Sequence, residues 1–379
     1  ICRFPAGPPP ELERVATQQL RGFHSAPLPL ETGPEIYDAL LFHTGRFRRI
    51  TGYRHLSAKE CLAELEPDTS AEWFGRYLPG DLALGDAGAR DAAIHCIQAC
   101  IPHRRLLPIG VERIELGGAP CMAKMRQSIS EGPTRFLLHA RQRRQEEDTF
   151  TYDLDLLSCD GCILERWTGL RLRAVENIER TAAWPAALLG PWLERKVEEW
   201  IPEAGISVSV ALQAGGRDRD TAPVSAIQTP WPIRHRPDGK PEAAGGKTVS
   251  ASHGAGLTLS VAGAGPLACD LEPIAARGSA VWQDLLGAER FRLAELAAAE
   301  AHETLDPAAT RIWAAAECLK KAGAVVDAPL VLEACKPDGW VLLTAGAWII
   351  ATSIPLVQSR EGPAPLAIAV LAARSSSRP

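Results

Sequence analysis

The sequence predicts an α+β protein built from two domains. The first half consists mainly of short strand-like segments around one clear helix, and the second half mixes helices with pairs of strands. The chain has 379 residues, which is enough for two or three domains with ordinary cores. Apolar residues make up 46% and charged residues 23%, a composition typical of globular proteins.

The first predicted domain follows a linker, residues 1–30, that is rich in proline and polar residues. Between residues 31 and 175, turn signals separate segments that predict strands: FRRITGYRHLS, CLAELEP, VERIELGG, RFLLHARQRR, TFTYDLDLLS and CILERWTGLRLRAV. The segment GDAGARDAAIHCIQACIP predicts a helix that begins near Arg90. Its core-facing residues are Ala93, Ile94, Ile97 and Ile101.

The second predicted domain covers residues 180–375. PAALLGPWLERKVEEWIP predicts an amphipathic helix with proline near its start, and residues 281–322 predict further helices. LVLEACKPDGWVLLTA predicts a hairpin with Asp338 and Gly339 at its turn. The predicted strands are ISVSVAL, KTVSASHGAGLTLSVAG, LACDLEPI, AWIIATSIPL and PLAIAVLAA.

Charge and hydropathy exclude some partners. The net charge of −5 gives no reason to expect nucleic acid, and apolar runs such as residues 347–357 are too short to span a bilayer. We therefore expect no nucleic-acid or membrane partner and a cytoplasmic location. The chain begins with Ile1 and its methionines are Met122 and Met125, so we expect it to be a piece of a longer protein.

The CDLE segment places Asp270 and Glu272 on one face of a predicted strand, with Cα atoms about 7 Å apart. Two carboxylates without a positive partner repel each other unless a cation lies between them, and oxygen ligands suit Mg²⁺. Glu317 is a candidate third ligand if its helix packs on this strand. The alternative is a solvated acidic strand edge.

The segment RIWAAAECLKKAG repeats functional side chains every four residues. Trp313, Glu317 and Lys321 therefore share one helix face, either as part of a site or as a solvated salt bridge beneath a tryptophan. DGKP supplies Lys240, and the glycine-rich SASHGAG supplies Ser252 and His253, where backbone can approach a phosphate closely. A lone histidine in a turn is more often structural or solvent-exposed.

The ordered set DGKP, SASHGAG, CDLE and WAAAECLKKAG resembles the 4′-phosphopantetheinyl transferases of the surfactin-synthetase type, over about residues 180–375. The resemblance implies an α/β pseudo-dimer fold. It also implies Mg²⁺-dependent transfer of 4′-phosphopantetheine from coenzyme A, the co-substrate, to a serine of an acyl carrier protein.

The same resemblance assigns roles to individual residues. The implied Mg²⁺ ligands are Asp270, Glu272 and Glu317, and Glu317 is also the implied base. The residues implied to hold the coenzyme A phosphates are Lys240, Ser252, His253 and Lys321. Lys321 is also an implied catalytic residue, because it would steady the charge that develops on the pyrophosphate. Ala316 departs from the family pattern, because it stands where the family has a lysine, and the family's first strand is not recognisable.

A second resemblance concerns residues 31–175. YDALLFHTGRFRRI followed by DAAIHCIQACIPHRRLLPIGVERIEL resembles the second, C-terminal hotdog half of a polyketide synthase dehydratase, and Asp91 with His95 fits its D-x-x-x-Q/H motif. The resemblance implies that Asp91 protonates the departing β-hydroxyl while a histidine of the first hotdog takes the α-proton. That histidine's motif is absent from this sequence, so we expect no dehydration unless another segment supplies the base. Without the resemblance, a simpler role is open to Asp91: an acidic residue near the start of a helix stabilises it by interacting with the helix dipole.

The order of the two regions resembles the C-terminal end of iterative, enediyne-type polyketide synthases, and a dimer through the parent synthase is compatible with it. The leading hypothesis is phosphopantetheinyl transfer. One alternative is dehydration of β-hydroxyacyl-carrier thioesters, for which this sequence holds only half of the active site. The other is a non-catalytic docking module.

Overall fold

The computed structural model describes ten segments of the chain. They are residues 26–67, 87–117, 135–158, 161–179, 182–202, 205–213, 233–235 (of His235 the backbone alone), 241–243, 245–324 and 328–374. The chain divides into an N-terminal unit, residues 1–179, and a C-terminal unit, residues 180–379. No helix within the described segments is long and apolar enough to cross a bilayer.

The N-terminal unit is built on one antiparallel sheet of seven described strands. They are β1 (Ile50–Leu56), β2 (Glu60–Leu65), β3 (Arg104–Gly110), β4 (Arg113–Leu116), β5 (Phe136–Glu146), β6 (Thr149–Ser158) and β7 (Ile163–Asn177). The order is β1-β2-β5-β6-β7-β3, and β4 also pairs with β7. Leu28, in the predicted linker, already donates a backbone hydrogen bond of 2.6 Å to Tyr53 of β1, and residues 1–25 lie outside the described segments.

Six of these strands confirm the sequence prediction, and β3 was missed. Its sequence, RRLLPIG, contains Pro108, which removes a backbone donor and normally argues against a central strand. In the sheet, β3 lies at the end of the strand order, paired with β7. An edge strand tolerates proline because one side of it makes no ladder hydrogen bonds.

The helix of this unit, α1, runs from Ala87 to His95 and continues as a 3₁₀ segment, Cys96–Cys100. It starts three residues earlier than Arg90, where the sequence placed its beginning. The Tyr53 hydroxyl donates a buried hydrogen bond of 2.9 Å to the Cys96 carbonyl, which joins the helix end to β1. Two further short turns precede the sheet, a π-helical turn Thr32–Tyr37 and a 3₁₀ turn Gly45–Phe47.

The C-terminal unit contains three long helices and eleven described strands. The helices are α2 (Ala186–Trp200), α3 (Ser279–Glu300, interrupted at Gly287, where φ is +72°) and α4 (Leu305–Lys321). The strands are β8 (Ser207–Leu212), β9 (Ile233–His235), β10 (Pro241–Ala243), β11 (Lys247–Gly254), β12 (Leu257–Ala264), β13 (Leu267–Pro273), β14 (Val331–Cys335), β15 (Val341–Ala345), β16 (Trp348–Ser353), β17 (Leu356–Ser359) and β18 (Gly362–Ala373).

The strands of this unit form three antiparallel sheets. One is β11-β12-β8, against which α2 packs, and a second is the β9-β10 pair. The largest is β13-β18-β16-β15-β14, with β17 added on β18. Helix α4 packs on β13 and β18 of this sheet, and small buried residues such as Ala314 and Ala315 allow the close approach. The predicted hairpin is confirmed as β14–β15, with Gly339 at φ +81° in its turn.

Candidate functional sites

The first candidate site is built on α1. Arg90 forms a two-pronged ion pair with Glu165 of β7, with Nη2 2.6 Å and Nε 3.0 Å from Oε1. The Trp167 indole donates a 2.9 Å hydrogen bond to the other carboxylate oxygen of Glu165. A guanidinium held at two points fixes orientation as well as distance. Asp91, the next residue along the helix, is thereby held in a defined position relative to the sheet.

Asp91 lies between two histidines, and we name these residues the His43–Asp91–His95 cluster. The Nε2 atom of His43 lies 3.2 Å from Asp91 Oδ2, and the Nε2 atom of His95 lies 3.6 Å from Asp91 Oδ1. The two imidazole rings are 4.1 Å apart between centroids. His95 was predicted as part of the helix motif, whereas His43 comes from the irregular segment just before the Gly45–Phe47 turn.

Burial shifts both titrating groups of the helix. It raises the pKa of Asp91 above its usual value, while the nearby His43 acts in the opposite direction. Burial, and then His43, lower the pKa of His95 to about 4. His95 is therefore neutral near pH 7, and Asp91 holds a proton more readily than an exposed aspartate. A carboxyl group with a raised pKa suits the role of a general acid.

Two polar atoms of the cluster are buried without hydrogen-bond partners, His43 Nδ1 and Asp91 Oδ2. The carboxyl group nevertheless remains accessible, since the Asp91 side chain keeps 28% of its exposure. Phe42 is 60% exposed and stacks on His43 with ring centroids 4.4 Å apart. The cluster can therefore be reached from solvent past an aromatic ring.

The second candidate site lies where α4 crosses β13. Asp270 and Glu272 share a face of the strand as predicted, but Asp270 is 3% exposed and is not part of a solvated edge. Asp270 has a positive partner in the structure, because Lys321 Nζ lies 2.7 Å from Asp270 Oδ1. The Ser252 hydroxyl donates a 2.8 Å hydrogen bond to the same oxygen. The other oxygen, Oδ2, is buried without a hydrogen-bond partner.

Lys321 connects three elements. Its ammonium group also donates to the Cys269 carbonyl at 2.9 Å and to the Ala251 carbonyl at 3.5 Å. Burial alone would lower its pKa, but Asp270 outweighs burial and raises it. The lysine is therefore charged and has partners in β11 and β13, and its predicted contact with a pyrophosphate stays a prediction.

Glu272 and Glu317 face the same region. The pKa of Glu272 is raised by burial first and then by the charges of Asp270 and Glu317, against a hydrogen bond from Trp313. Glu317 Oε1 accepts a 2.5 Å hydrogen bond from Lys320, so its helix partner is not Lys321. Within the described segments, the one group of three potential metal ligands closer than 4.8 Å to one another is the His43–Asp91–His95 cluster. The three carboxylates would have to move together to share an ion.

The remaining predicted phosphate contacts are placed as follows. The Ser252 hydroxyl, besides donating to Asp270, accepts a 3.3 Å hydrogen bond from the Leu271 amide. His253 Nδ1 lies 2.9 Å from Thr258 Oγ1, and burial followed by Lys321 lowers its pKa. Lys240 lies outside the described segments.

Comparison with known families identifies the first unit. Residues 21–182 match the family described as the polyketide synthase dehydratase N-terminal domain. Residues 21–182 therefore form a hotdog-type dehydratase domain of the polyketide synthase kind. The matched description names the N-terminal domain, whereas the sequence resemblance pointed to the second, C-terminal half, and the assignment to that half stays a prediction.

The solved structures that match this dehydratase domain have low sequence identity and low TM-scores. The dehydratase domain of a mycocerosic acid synthase-like polyketide synthase is 20% identical, with a TM-score of 0.31, covering 44% of this chain and 56% of its own. The dehydratase domain from the CurF module of the curacin polyketide synthase is 18% identical, with a TM-score of 0.30, covering 43% and 53%. The dehydratase domain of RzxB from Pseudomonas fluorescens is 17% identical, with a TM-score of 0.25, covering 35% and 42%.

The chain spans about half the length of the first of these dehydratase chains. No curated protein matches it. The transferase assignment of residues 180–375 and the enediyne type both rest on sequence resemblance alone. His43 is the residue of the dehydratase domain that sequence reasoning missed, since no spacing rule links it to Asp91.

Proposed function

We propose that the dehydratase domain removes water from β-hydroxyacyl thioesters held on an acyl carrier protein, with Asp91 as the acid and His43 as the base. The observation that carries this proposal is the 3.2 Å contact between His43 Nε2 and Asp91 Oδ2 in a half-buried, accessible cluster. The resemblance to second hotdog halves assigned the base to another segment. His43 offers an imidazole within this chain instead.

The chemistry requires an acid and a base side by side. The base takes the proton from the α-carbon, the electron pair of that bond forms the double bond, and the β-carbon–oxygen bond breaks. The departing hydroxyl takes the proton from Asp91 and leaves as water. Because the α-hydrogen and the β-hydroxyl sit on adjacent carbons, the two catalytic atoms must be neighbours. Proton transfer from the imidazolium of His43 to the carboxylate then restores both groups.

Replacing Asp91 with asparagine should slow dehydration at least about a hundredfold, since a positioned general acid contributes 10²–10⁴-fold. His43→Gln should give a loss of similar size. The measurement is mass spectrometry of a β-hydroxyacyl carrier protein incubated with the chain, in which each turnover removes one water. His55→Gln is the matched control, because His55 faces Glu60 outside the cluster.

Full activity of Asp91→Asn would overturn the proposal. Loss of activity in Asp91→Asn with full activity in His43→Gln would remove His43 from the role of base and return that role to another segment. Absence of dehydration by the wild-type chain would also count against His43, since the chain then lacks a working base. Circular dichroism of each variant separates loss of chemistry from loss of folding.

For the C-terminal unit we propose transfer of 4′-phosphopantetheine from coenzyme A to a carrier-protein serine. The specific observation in favour is the buried, unpartnered Oδ2 of Asp270 beside Glu272, whose pKa is raised partly by Asp270 and Glu317. An orphaned carboxylate oxygen among like charges fits a cation. Asp270, Glu272 and Glu317 would hold Mg²⁺, which when bound neutralises charge on a diphosphate. Lys321 and Ser252 orient Asp270 through its other oxygen.

Asp270→Asn should lower the transfer rate by more than about tenfold, since even outer-shell partners of a bound metal contribute 10- to 100-fold. The asparagine can keep the two hydrogen bonds at Oδ1 and replaces the unpartnered oxygen by an amide. Transfer is followed as the mass gained by an apo carrier protein, with and without Mg²⁺. The control is Glu333→Gln, which removes an acidic side chain on β14 outside this site. Wild-type rates for Asp270→Asn would reject the metal assignment, and no transfer by the wild-type chain would favour the docking-module hypothesis.

A further inference from the structure

The His43–Asp91–His95 cluster has the composition and spacing of a metal site. We propose that it binds a divalent first-row transition metal ion of the Zn²⁺ class through two imidazoles and one carboxylate. Neither family resemblance implies a metal at this position, and the inference does not rest on the proposed dehydration.

The distances fit a shared ion. Zn²⁺ binds imidazole nitrogen and carboxylate oxygen at about 2.0–2.2 Å, so ligands at neighbouring corners of a tetrahedron lie about 3.3–3.6 Å apart. The two nitrogen-to-oxygen distances in the cluster are close to this spacing and end on different oxygens of Asp91. They are 3.2 Å from His43 Nε2 to Oδ2 and 3.6 Å from His95 Nε2 to Oδ1. All three ligand atoms also lie within 4.8 Å of one another. Small side-chain adjustments would place a single ion in contact with all three.

A second group of two histidines and an acid in the same unit, His55, Glu60 and His139, has a different spacing. His139 Nε2 lies 2.6 Å from Glu60 Oε1, and His55 Nε2 lies 3.8 Å from Glu60 Oε2. The first distance is that of a direct hydrogen bond, too short for two ligands on one ion. These three residues do not form a mutually close set among the described residues.

Unsatisfied polar atoms provide an independent indication. Asp91 Oδ2 is buried and accepts no hydrogen bond, although it lies 3.2 Å from His43 Nε2 and buried polar atoms normally have a partner. An ion on Asp91 Oδ2 would satisfy that oxygen directly. His43 can present Nε2 to the ion, while its Nδ1 is buried without a hydrogen-bond partner.

The cluster is also partly accessible to solvent. The Asp91 side chain keeps 28% of its exposure, and the stacked ring of Phe42 is 60% exposed at the rim. Three protein ligands with one position facing solvent are typical of zinc sites that bind water or an exogenous ligand. Such an ion would occupy the carboxylate and imidazole atoms that the proposed dehydration uses, so metal binding and proton transfer at Asp91 would exclude each other.

The test uses the untagged full chain, stripped with a chelator and titrated with Co²⁺ in the absence of any substrate. We expect Co²⁺ to bind with the intense visible absorption of low-symmetry, four- or five-coordinate cobalt and without the near-ultraviolet band of a thiolate ligand. Zn²⁺ should abolish this absorption by displacing the cobalt. His43→Gln and His95→Gln should each weaken binding about a hundredfold or more, since even outer-shell changes cost 10- to 100-fold. Asp91→Asn should weaken it as well. His55→Gln should bind like the wild-type chain.

Failure to bind Co²⁺, a thiolate band, or unchanged affinity in both histidine variants would overturn the inference. If His95→Gln does not fold, His43→Gln decides the outcome, since His43 lies in an irregular segment outside the helix. Because no substrate is present, a negative dehydration assay leaves the cobalt result unaffected, and absence of cobalt binding leaves the dehydration proposal intact.

Discussion

Replacing Glu303 with glutamine should lower the free energy of unfolding of the C-terminal unit by about 3–5 kcal/mol, the cost of leaving a buried charge without its partner. Arg311, on α4, is 3% exposed. Its Nε lies 2.9 Å from Glu303 Oε1 and its Nη2 lies 3.1 Å from Oε2. The guanidinium also donates a 3.0 Å hydrogen bond to the Gly339 carbonyl. Glutamine keeps the shape of this contact but removes the opposite charge.

Hydrogen exchange followed on peptides of α4 measures this change for the C-terminal unit alone, because exchange of core amides reports the opening free energy of the unit that contains them. Glu295→Gln, an exposed acidic residue on α3, should stay within about 0.5 kcal/mol of the wild-type chain. The double change Glu303→Leu with Arg311→Met should recover most of the loss, since apolar replacement of a buried ion pair is often neutral or stabilising. Equal stability of Glu303→Gln and Glu295→Gln would contradict the prediction.

Much of the fold could be predicted from the sequence because its signals are local. Strand-like segments between turn signals predicted β5 and β6, and the Asp338–Gly339 dipeptide predicted the β14–β15 hairpin, whose turn has Gly339 at positive φ. The missed strand, β3, contains Pro108, and a local pattern cannot say that the strand lies at a sheet edge, where proline is tolerated.

The first site was half predictable for the same reason. Asp91 and His95 are four residues apart on one helix, so helical spacing places them together. His43 reaches Asp91 from an irregular segment that precedes β1, and such a contact depends on how the chain folds back on the helix. No periodicity in the sequence records that contact, although the proposed acid–base pair depends on it.

In the C-terminal unit, helical spacing predicted which side chains share a face of α4, but tertiary packing determines which ion pairs they form. Glu317 and Lys321 share a face of α4, but Lys321 forms its ion pair with Asp270 of β13. Glu317 instead pairs with Lys320, three residues further along the helix. Lys320 Nζ also lies 5.5 Å from the centroid of the Trp313 ring. Lys321 of the helix therefore pairs with a strand carboxylate, and the pyrophosphate contact that the family resemblance implies for it stays a prediction. Only the crossing of α4 over β13 could reveal this pair.

The N-terminal unit should lose stability as the pH falls, and His95 should be a main cause. Its pKa is about 4 in the folded unit against an ordinary value of 6.5, with burial as the first cause and His43 as the second. Below pH 6.5 the unfolded chain binds a proton at this imidazole that the folded unit does not bind. Folding therefore becomes less favourable as the pH falls, until the pH reaches the pKa of His95 in the folded unit. A shift of this size corresponds to about 3 kcal/mol.

Asp91 acts with the opposite sign over part of that range. Its pKa is raised by burial, so the folded unit takes up its proton before the unfolded chain does, and this adds stability as the pH falls through the raised value. The net loss of stability as the pH falls should therefore be smaller than the loss that His95 alone would cause. Asp91→Asn should remove the offset and make the loss at low pH larger.

Hydrogen exchange on peptides of β5 and β6, corrected for intrinsic exchange rates and compared between about pH 7 and about pH 4.5, measures this loss for the N-terminal unit. His95→Gln should flatten the pH dependence, because glutamine does not titrate, whereas His55→Gln should leave the His95 contribution in place. Parallel curves for the wild-type chain and His95→Gln would show that burial of this imidazole does not control the acid response. The same imidazole that weakens the fold in acid is neutral near pH 7.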